Sequence, residues 1–266
     1  MQIDVLTLFP EMFHGPLETS IIGRAQAAGI VDVRLWNIRD FTTDRHRQVD
    51  DYPFGGGAGM VMKPEPVFRG VRHVLGEDSA PVILMTPQGE VLSHELAEEL
   101  AKERRLLLIC GHYEGIDERI RQSLVTRQIS IGDYVLTGGE LPAMVVIDAV
   151  VRFLPGALGE GTAVWTDSFA QGLLEYPQYT RPRNFEDMEV PEILLSGDHQ
   201  RIAKWRRRES LRRTSLRRPD LIAKLDLSEE DREFLAAIQE EADQSGDSLD
   251  ESGRREADSH GYPTSN

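Results

Sequence analysis

The chain of 266 residues is 40% hydrophobic, which is enough for one α/β domain with a sizeable core and a smaller second domain. Its single cysteine, Cys110, excludes an intramolecular disulfide and a zinc site built on cysteines. No apolar run approaches the roughly 18 residues of a membrane span, and the segment MQIDVLTLFPEMF lacks a basic region before its apolar residues. We therefore expect no membrane association and a cytoplasmic location.

The net charge of −15 is unevenly distributed along the chain. From residue 226 onward there are 13 acidic and 3 basic side chains, which leaves −5 for the first 225 residues. Within residues 201–218, nine Arg or Lys side chains accompany a single acidic residue, Glu209. This basic run, which contains Trp205, is either a solvated helical face or a surface that contacts phosphates.

Five short apolar segments predict buried strands, and helical patterns lie between them. The strand segments are QIDVLTL, VDVRLWN, PVILMT, LLLIC and RQISI. The helical patterns cover residues 17–28, 64–75, 93–103 and 117–124, with Ser93 as an N-cap. This alternation predicts an α/β fold in which helices cover both faces of a mostly parallel sheet.

The segment SIGDYVLTGGELPA (130–143) joins the last predicted strand to an apolar helix. Its glycines permit close approach of the backbone to a ligand, although Gly138 and Gly139 could simply form a turn. The spacing matches neither G-x-G-x-x-G nor G-x-x-x-x-G-K-[ST], and Asp133 and Glu140 would repel an anion. A neutral or cationic ligand is the better interpretation.

The helix predicted over residues 142–153 is apolar nearly all round. Such a helix is either buried within its own domain or packed against a partner. After it the strand signals end, and residues 191–195, 198–214 and 228–242 are predicted to be helical, the last capped by Ser228. We expect a sheet domain over 1–160, a flexible connector over 161–175, a helical domain over 176–243 and a disordered acidic tail over 244–266.

Several motifs, taken together, resemble those of the bacterial tRNA (guanine-N1)-methyltransferases. They are DRHRQVDDYPFGGGAGMVMKPEP (44–66), LMTPQGEVL (84–92), ICGHYEGIDERI (109–120), SIGDYVLTGGELPAMVVIDAVVRFLPG (130–156) and WTDSF (165–169). The resemblance spans residues 1–240 in order. It implies the SPOUT fold with its deep trefoil knot, a rare exception to the rule against knotted chains, and a homodimer. It also implies S-adenosylmethionine-dependent methylation of N1 of guanosine 37 in tRNA, the base 3′ of the anticodon.

In that family, three loops corresponding to residues 86–89, 111–115 and 131–142 hold the methyl donor. A sulfonium cation beside Glu114 and Asp133 is electrostatically sensible. The resemblance assigns the donor site to Pro87, Gly111, Tyr113, Glu114, Gly115, Ile131, Gly132, Asp133, Tyr134, Val135, Leu136, Gly138, Gly139 and Pro142.

The resemblance also assigns Asp167 as the general base that takes the N1 proton and Arg152 as the cation that steadies the guanine. General-base catalysis typically contributes about a hundred- to ten-thousand-fold. On the residues alone, Asp167 could instead cap a turn, and Arg152 could be a solvated cation near a helix C-terminus.

Contacts with tRNA are expected from two loops and the basic run. The predicted residues are His46, Asp50, Gly57, Ser168, Arg181, Arg183, Lys204, Arg206, Arg207 and Arg208. Glu114 could hold Mg²⁺, since the family is associated with that ion. Two other functions stay open: a SPOUT ribose 2′-O-methyltransferase and a non-catalytic RNA-binding module.

Overall fold

A sheet of five parallel strands forms the centre of the N-terminal part of the chain. The computed structural model describes residues 1–158 and 163–244, in two compact units that divide between Trp165 and Thr166. The strands of the first unit are β1 (Gln2–Thr7), β2 (Asp32–Asn37), β3 (Asp50–Asp51), β4 (Val61–Met62), β5 (Val82–Val91), β6 (Arg105–Cys110) and β7 (Arg127–Ser130). The large sheet has the order β2-β1-β6-β5-β7, and all its pairings are parallel. The predicted α/β fold is confirmed.

Helices cover both faces of this sheet, because alternate strand residues point to opposite sides. The helices are α1 (Ser20–Ala27), α2 (Pro64–Leu75), α3 (His94–Leu100), α4 (Glu118–Ser123) and α5 (Glu140–Val151). On one face, Leu106 and Leu108 of β6 pack in a core with α1, α3 and α5. On the other face, Leu107 and Ile109 pack with α2 and α4. The expected N-cap is present, since Ser93 accepts a hydrogen bond from the amide of Leu96.

Strand β5 is longer than the predicted segment PVILMT. Residues 86–89, which we expected to form a loop, belong to this strand, and its register against β7 shifts between Met85 and Glu90. A side chain at Gly89 would place its Cβ 2.4 Å from the backbone carbon of Gln128. The extra residues therefore interrupt the regular pairing of β5 with β7. The absence of a side chain at Gly89 lets this segment stay close to the backbone of β7.

Helix α5 begins two residues before the predicted start, and it is buried on one side and exposed on the other. Val146, Ile147 and Val150 are buried in the core of the unit. On the opposite side Leu141 is 49% exposed and Val145 is 45% exposed. One face of the helix thus supports the sheet, while its outer face presents apolar side chains.

The second unit, which begins at Thr166, is mainly helical but also contains a small hairpin that the sequence did not predict. Its elements are β8 (Asn184–Phe185), β9 (Met188–Glu189), α6 (His199–Arg217), α7 (Pro219–Ile222) and α8 (Glu229–Gln244). Ser228 accepts a hydrogen bond from the amide of Asp231, as its capping role predicts. The segment predicted as helix over 191–195 is a 3-10 helix, Glu192–Leu195.

The trefoil knot and the exact domain limits stay predictions. Beyond Gln244, the expected tail lies outside the described residues. Positions 161 and 162 of the expected connector also lie outside them. Within the described ranges, no helix combines the length and apolarity that a membrane crossing requires.

Candidate functional site

A cavity of about 280 Å³ opens where strands β5, β6 and β7 reach their carboxyl ends. This edge of an open parallel sheet is where α/β proteins commonly bind ligands. Three segments supply the lining, within residues 84–88, 111–121 and 129–142. The cavity therefore unites the three regions that the sequence singled out.

Every residue predicted for the donor site lines this cavity except Asp133. The lining members are Pro87, Gly111, Tyr113, Glu114, Gly115, Ile131, Gly132, Tyr134, Val135, Leu136, Gly138, Gly139 and Pro142. Asp133 is exposed and lies outside the lining. The turn explains this: Ser130 Oγ bonds both the amide and the carbonyl of Gly132, whose φ is +139°. Of the two carboxylates predicted to lie beside the sulfonium, Glu114 lines the cavity and Asp133 does not.

Two glycines at the start of α5 have no room for a side chain. A Cβ at Gly139 would lie 2.7 Å from the Cα of Cys110 and 3.0 Å from the amide nitrogen of Gly111. A Cβ at Gly138 would lie 2.3 Å from His112 Cε1. The amide of Gly139 also donates to the carbonyl of Gly111 at 2.9 Å. Glycine is thus required at Gly139 because two backbone segments meet there, and at Gly138 because side chains fill the space, which is more than a simple turn demands.

The glycine-rich loop before β4 is tied to the loop that carries Glu114. The amide of Glu114 donates a hydrogen bond of 3.0 Å to the carbonyl of Met60, and the amide of Met62 donates one of 2.9 Å to the carbonyl of Gly115. A Cβ at Gly59, where φ is +76°, would lie 2.5 Å from Glu114 Oε1. The predicted substrate loop and the donor loop therefore form one connected structure.

The three substrate residues predicted on the N-terminal side belong to this region but are not in the cavity lining. His46 is exposed, and its amide donates to Asp44 Oδ1 at 2.9 Å. Hydrogen bonds from the amides of Gln48 and His46 lower the pKa of Asp44, with that from Gln48 the larger cause. Asp50 lies in β3, and Gly57 has a φ of +128°.

A buried polar network beside the cavity was missed by the sequence analysis. Glu140 Oε1 accepts a hydrogen bond of 2.6 Å from Thr7 Oγ1, and Glu140 Oε2 lies 2.7 Å from His112 Nε2. The ring of Phe9 meets that of His112 edge-on, with centroids 4.9 Å apart. The sequence carried one signal: Glu140, an acidic residue, begins a helix that is otherwise apolar nearly all round.

The same carboxylate affects the neighbouring cysteine. Burial raises the pKa of the Cys110 thiol well above its usual value, and the negative charge of Glu140 adds to the effect. A thiol in this environment stays protonated and unreactive. Cys110 is therefore a packing residue of the sheet, as its position at the end of the apolar strand β6 suggested.

The charged groups of the lining are few. Glu114 and Arg121 accompany His112, and Arg121 Nε lies 3.2 Å from Glu118 Oε2 on α4. Arg121 also contacts the side-chain oxygen of Gln88. Across the described part of the chain, no three His, Cys, Asp or Glu side chains are grouped so that they could hold a metal ion.

The two predicted catalytic residues belong to different units. Arg152 directly follows α5 in the first unit and is half-buried. Asp167 belongs to the second unit, where it lines a cavity of about 450 Å³ together with Glu175, His199 and Arg206. Its carbonyl accepts a bond of 3.3 Å from the amide of Ala170, and the neighbouring Ser168 Oγ accepts one of 3.0 Å from the amide of Glu175.

Helix α6 carries the predicted phosphate-binding cations, but three of them pair with carboxylates of α8. The pairs are Lys204 with Glu230 at 2.6 Å, Arg207 with Asp231 at 2.9 Å and Arg208 with Glu230 at 3.5 Å. The count of nine cations against one acid therefore overstated the free positive charge. It did so because α8 supplies carboxylates from outside the basic run.

Arg206 is placed differently from its neighbours on α6. Its guanidinium lies 4.7 Å from the centre of the Tyr176 ring, a cation–π geometry. With Arg181 and Arg183 it lines a cavity of about 400 Å³ in the second unit. These three arginines thus form one group, which we call the arginine cluster.

The first unit is thus an α/β unit with a glycine-lined ligand cavity at the carboxyl edge of a parallel sheet. The second is a small helical unit with a partly compensated basic helix. Residues 1–224 match the family model described as tRNA (Guanine-1)-methyltransferase TrmD. The chain belongs to this family, which confirms the resemblance noted in its motifs.

Similar proteins with the name tRNA (guanine-N(1)-)-methyltransferase come from several bacteria. The protein of Moorella thermoacetica is 63% identical over 241 residues, which cover 90% of this chain and 96% of the relative. That of Dictyoglomus turgidum is 58% identical over 241 residues, or 91% and 98% of the two chains. That of Geotalea uraniireducens is 57% identical over 247 residues, or 92% and 100%.

Proposed function

We propose that this protein transfers a methyl group to N1 of a guanosine in tRNA, at position 37 on the 3′ side of the anticodon. The observation that carries the proposal is the cavity at the carboxyl edge of the sheet, in a chain of the tRNA (Guanine-1)-methyltransferase family. The methyl donor is S-adenosylmethionine, which supplies a methyl group on a sulfonium.

The composition of the cavity suits this donor. Apolar side chains such as Ile131, Val135 and Leu136 can contact an adenine ring, while the glycines leave backbone amides and carbonyls within reach. Glu114 brings a negative charge that a sulfonium cation favours. A Cβ would collide with the side chains of His112 and Glu140 at Gly138 and with the backbone of Cys110 and Gly111 at Gly139, so both positions need glycine.

Methylation at N1 requires that the proton on this nitrogen leaves and that negative charge developing toward O6 is stabilised. Asp167 takes the proton, and Arg152 offsets the charge. Each of these roles is typically worth at least a hundredfold in rate. Asp167 belongs to the second unit and Arg152 to the first.

A homodimer would bring the two units of different chains together, with Asp167 of one protomer serving the donor cavity and Arg152 of the other. The outer face of α5 supports such an assembly, because Leu141 and Val145 are apolar and about half exposed there.

Binding of tRNA is assigned mainly to the arginine cluster, with further contacts from Ser168, His46, Asp50 and Gly57. Arg181, Arg183 and Arg206 have no carboxylate within 4 Å in the described residues, whereas Lys204, Arg207 and Arg208 are ion-paired. Free cations release counterions when they meet phosphates, so they contribute most to affinity. A hydrated Mg²⁺ beside Glu114 is compatible with this scheme, because Mg²⁺ often uses only one or two carboxylates.

One reaction tests the proposal and its alternatives. Unmodified tRNA transcripts with G37 are incubated with S-adenosylmethionine and the protein, then digested to nucleosides and mapped; a transcript with A37 is the matched control. We expect 1-methylguanosine at position 37 only. A 2′-O-methylated ribose would indicate the other SPOUT activity, and tRNA binding without any methyl transfer would indicate an RNA-binding module.

A further inference from the structure

The network of Thr7, Glu140 and His112 joins three parts of the first unit that are distant in sequence. Thr7 ends β1, Glu140 begins α5, and His112 follows β6. Thr7 and Glu140 are both 0% exposed. The Thr7 hydroxyl also accepts a hydrogen bond of 2.9 Å from the amide of Phe9, so its only proton is directed to Glu140.

Only part of this network reaches the cavity. His112 lines it, and so does Gly138, which has no space for a Cβ because His112 and Glu140 Oε2 occupy that position. Thr7 and Glu140 are not in the lining. A substitution at Thr7 therefore alters the cavity only through Glu140 and His112.

We infer that Glu140 is a positioning residue for the methyl-donor cavity. Its two carboxylate oxygens fix the Thr7 hydroxyl and the His112 ring, and thereby hold the loop of residues 111–115 against Gly138 at the start of α5. This inference rests on the proposed function, since it assigns the network to the site that binds S-adenosylmethionine.

The need for a carboxylate follows from where the partners lie. An apolar side chain at position 140 would leave the Thr7 hydroxyl and His112 Nε2 without a partner inside the unit, and unsatisfied buried polar groups relax toward water or other partners. The His112 side chain would then rotate, and its ring would leave its position against Gly138. The cavity would lose its shape although the sheet below it stays packed.

The test measures donor affinity by calorimetry in the full-length protein, with S-adenosylmethionine as the probe. Thr7→Val has nearly the shape of the native residue but lacks the hydroxyl, and with it the hydrogen bonds to Glu140 and from the amide of Phe9. Because Glu140 then loses this partner, Kd should rise by about tenfold. Thr7→Ser restores the hydroxyl and should stay within about twofold of the wild type. In kinetics, KM for the donor should rise with Thr7→Val, while kcat at saturating donor changes little.

Asp4→Asn is the matched control for a general loss of stability. Asp4 is also a carboxylate of β1 that is 0% exposed, and it accepts hydrogen bonds from Trp36 Nε1 and Arg105 Nε, away from the cavity lining. Its variant should lower the thermal midpoint but leave donor Kd unchanged. Equal weakening by Asp4→Asn and Thr7→Val would overturn the inference, because the effect would then be global.

Glu140→Gln and Glu140→Leu provide a second pair if Thr7→Val fails to fold. The amide can accept from Thr7 and donate to a neutral His112, so Glu140→Gln should bind the donor far better than Glu140→Leu. Equal affinities in this pair, or an unchanged Kd for Thr7→Val, would overturn this inference but leave the proposed function standing. A wild-type protein that does not bind S-adenosylmethionine would overturn the proposed function as well.

Discussion

Arg207 of α6 and Asp231 of α8 form an ion pair in which Nη2 lies 2.9 Å from Oδ2. The hydrogen bond from Arg207 is the largest cause of the lowered pKa of the Asp231 carboxyl. The adjacent Arg206 contacts the Tyr176 ring instead. Two neighbouring arginines of one helix therefore have different partners, and we propose different tasks for them: Arg206 contacts RNA, and Arg207 holds α8 to α6.

Replacing these arginines one at a time should separate the two tasks. Arg206→Ala should weaken tRNA binding and reduce the salt dependence of log K by about 0.7–0.9 for each phosphate that Arg206 neutralises. Arg207→Ala should leave this slope nearly unchanged and lower the free energy of unfolding by about 0.2–1 kcal/mol, because it breaks a partly exposed pair. Filter binding at several salt concentrations and urea unfolding measure the two effects. Equal slopes for both variants would contradict the assignment.

The Arg207–Asp231 pair should also make stability depend on pH. A carboxyl whose pKa is lower in the folded state stabilises the protein above its unfolded pKa, near 3.9, and loses this contribution as the pH falls through the folded value. Asp231→Asn should therefore be less stable than the wild type at pH 7, and the difference should shrink below about pH 4. Urea unfolding of both proteins at pH 7 and below about pH 4 measures this difference in stability. A difference that is the same at both pH values would show that the charge of Asp231 contributes nothing.

Gly139 and Gly111 line the same cavity but differ in the space around them. A Cβ at Gly139 would meet the backbone at 2.7 Å, whereas at Gly111 the nearest atom, Ile116 Cγ2, is 3.4 Å away. Gly139→Ala should raise the Kd for S-adenosylmethionine by about tenfold or more, because backbone must move; such overpacking costs about 1–3 kcal/mol. Gly111→Ala is the control, and it should change this Kd only slightly, because its Cβ would make an ordinary contact. Similar affinities for the two variants would indicate that the wall at Gly139 is readily displaced.

Asp167→Asn keeps the shape of the side chain but removes its basicity. The chemical step should fall by about a hundredfold or more in single-turnover assays, while donor binding is retained. A single-turnover rate near that of the wild type would remove Asp167 from the mechanism.

The dimer can be tested by mixing Asp167→Asn with Arg152→Ala. If each site combines Asp167 of one chain with Arg152 of the other, a mixed dimer has one site with both lesions and one intact site. Subunit exchange should then restore activity that neither variant has alone. Native mass spectrometry must show that exchange has occurred; mixed dimers without activity would argue against the shared site.

The architecture was predictable where short-range patterns determine it. The apolar runs marked the strands of the large sheet, and Ser93 and Ser228 marked helix starts through bonds to amides three residues later. The two-residue hairpins were not predictable, since pairs such as Asn184–Phe185 and Met188–Glu189 are too short to show an alternating pattern. The continuation of β5 through Pro87 was likewise hidden by its turn-like composition.

The contacts that the sequence analysis missed are long-range, and a single sequence does not encode them locally. Thr7 and Glu140 are 133 positions apart, yet they share a buried hydrogen bond. Arg207 and Asp231 are 24 positions apart on different helices. A window that counts charges along the chain treats such partners as independent, so it exaggerated the free charge of α6 and overlooked Glu140.

Strand β7 has four residues and lies at the edge of the sheet, yet the segment that follows it supplies much of the cavity lining. Segments with few packed neighbours open locally at lower free energy than the core, and proteases cleave the open form. A ligand that binds only the closed form at 100 times its Kd adds about 2.7 kcal/mol against such opening. A methyl donor bound as proposed should therefore slow proteolysis of the segment that follows β7.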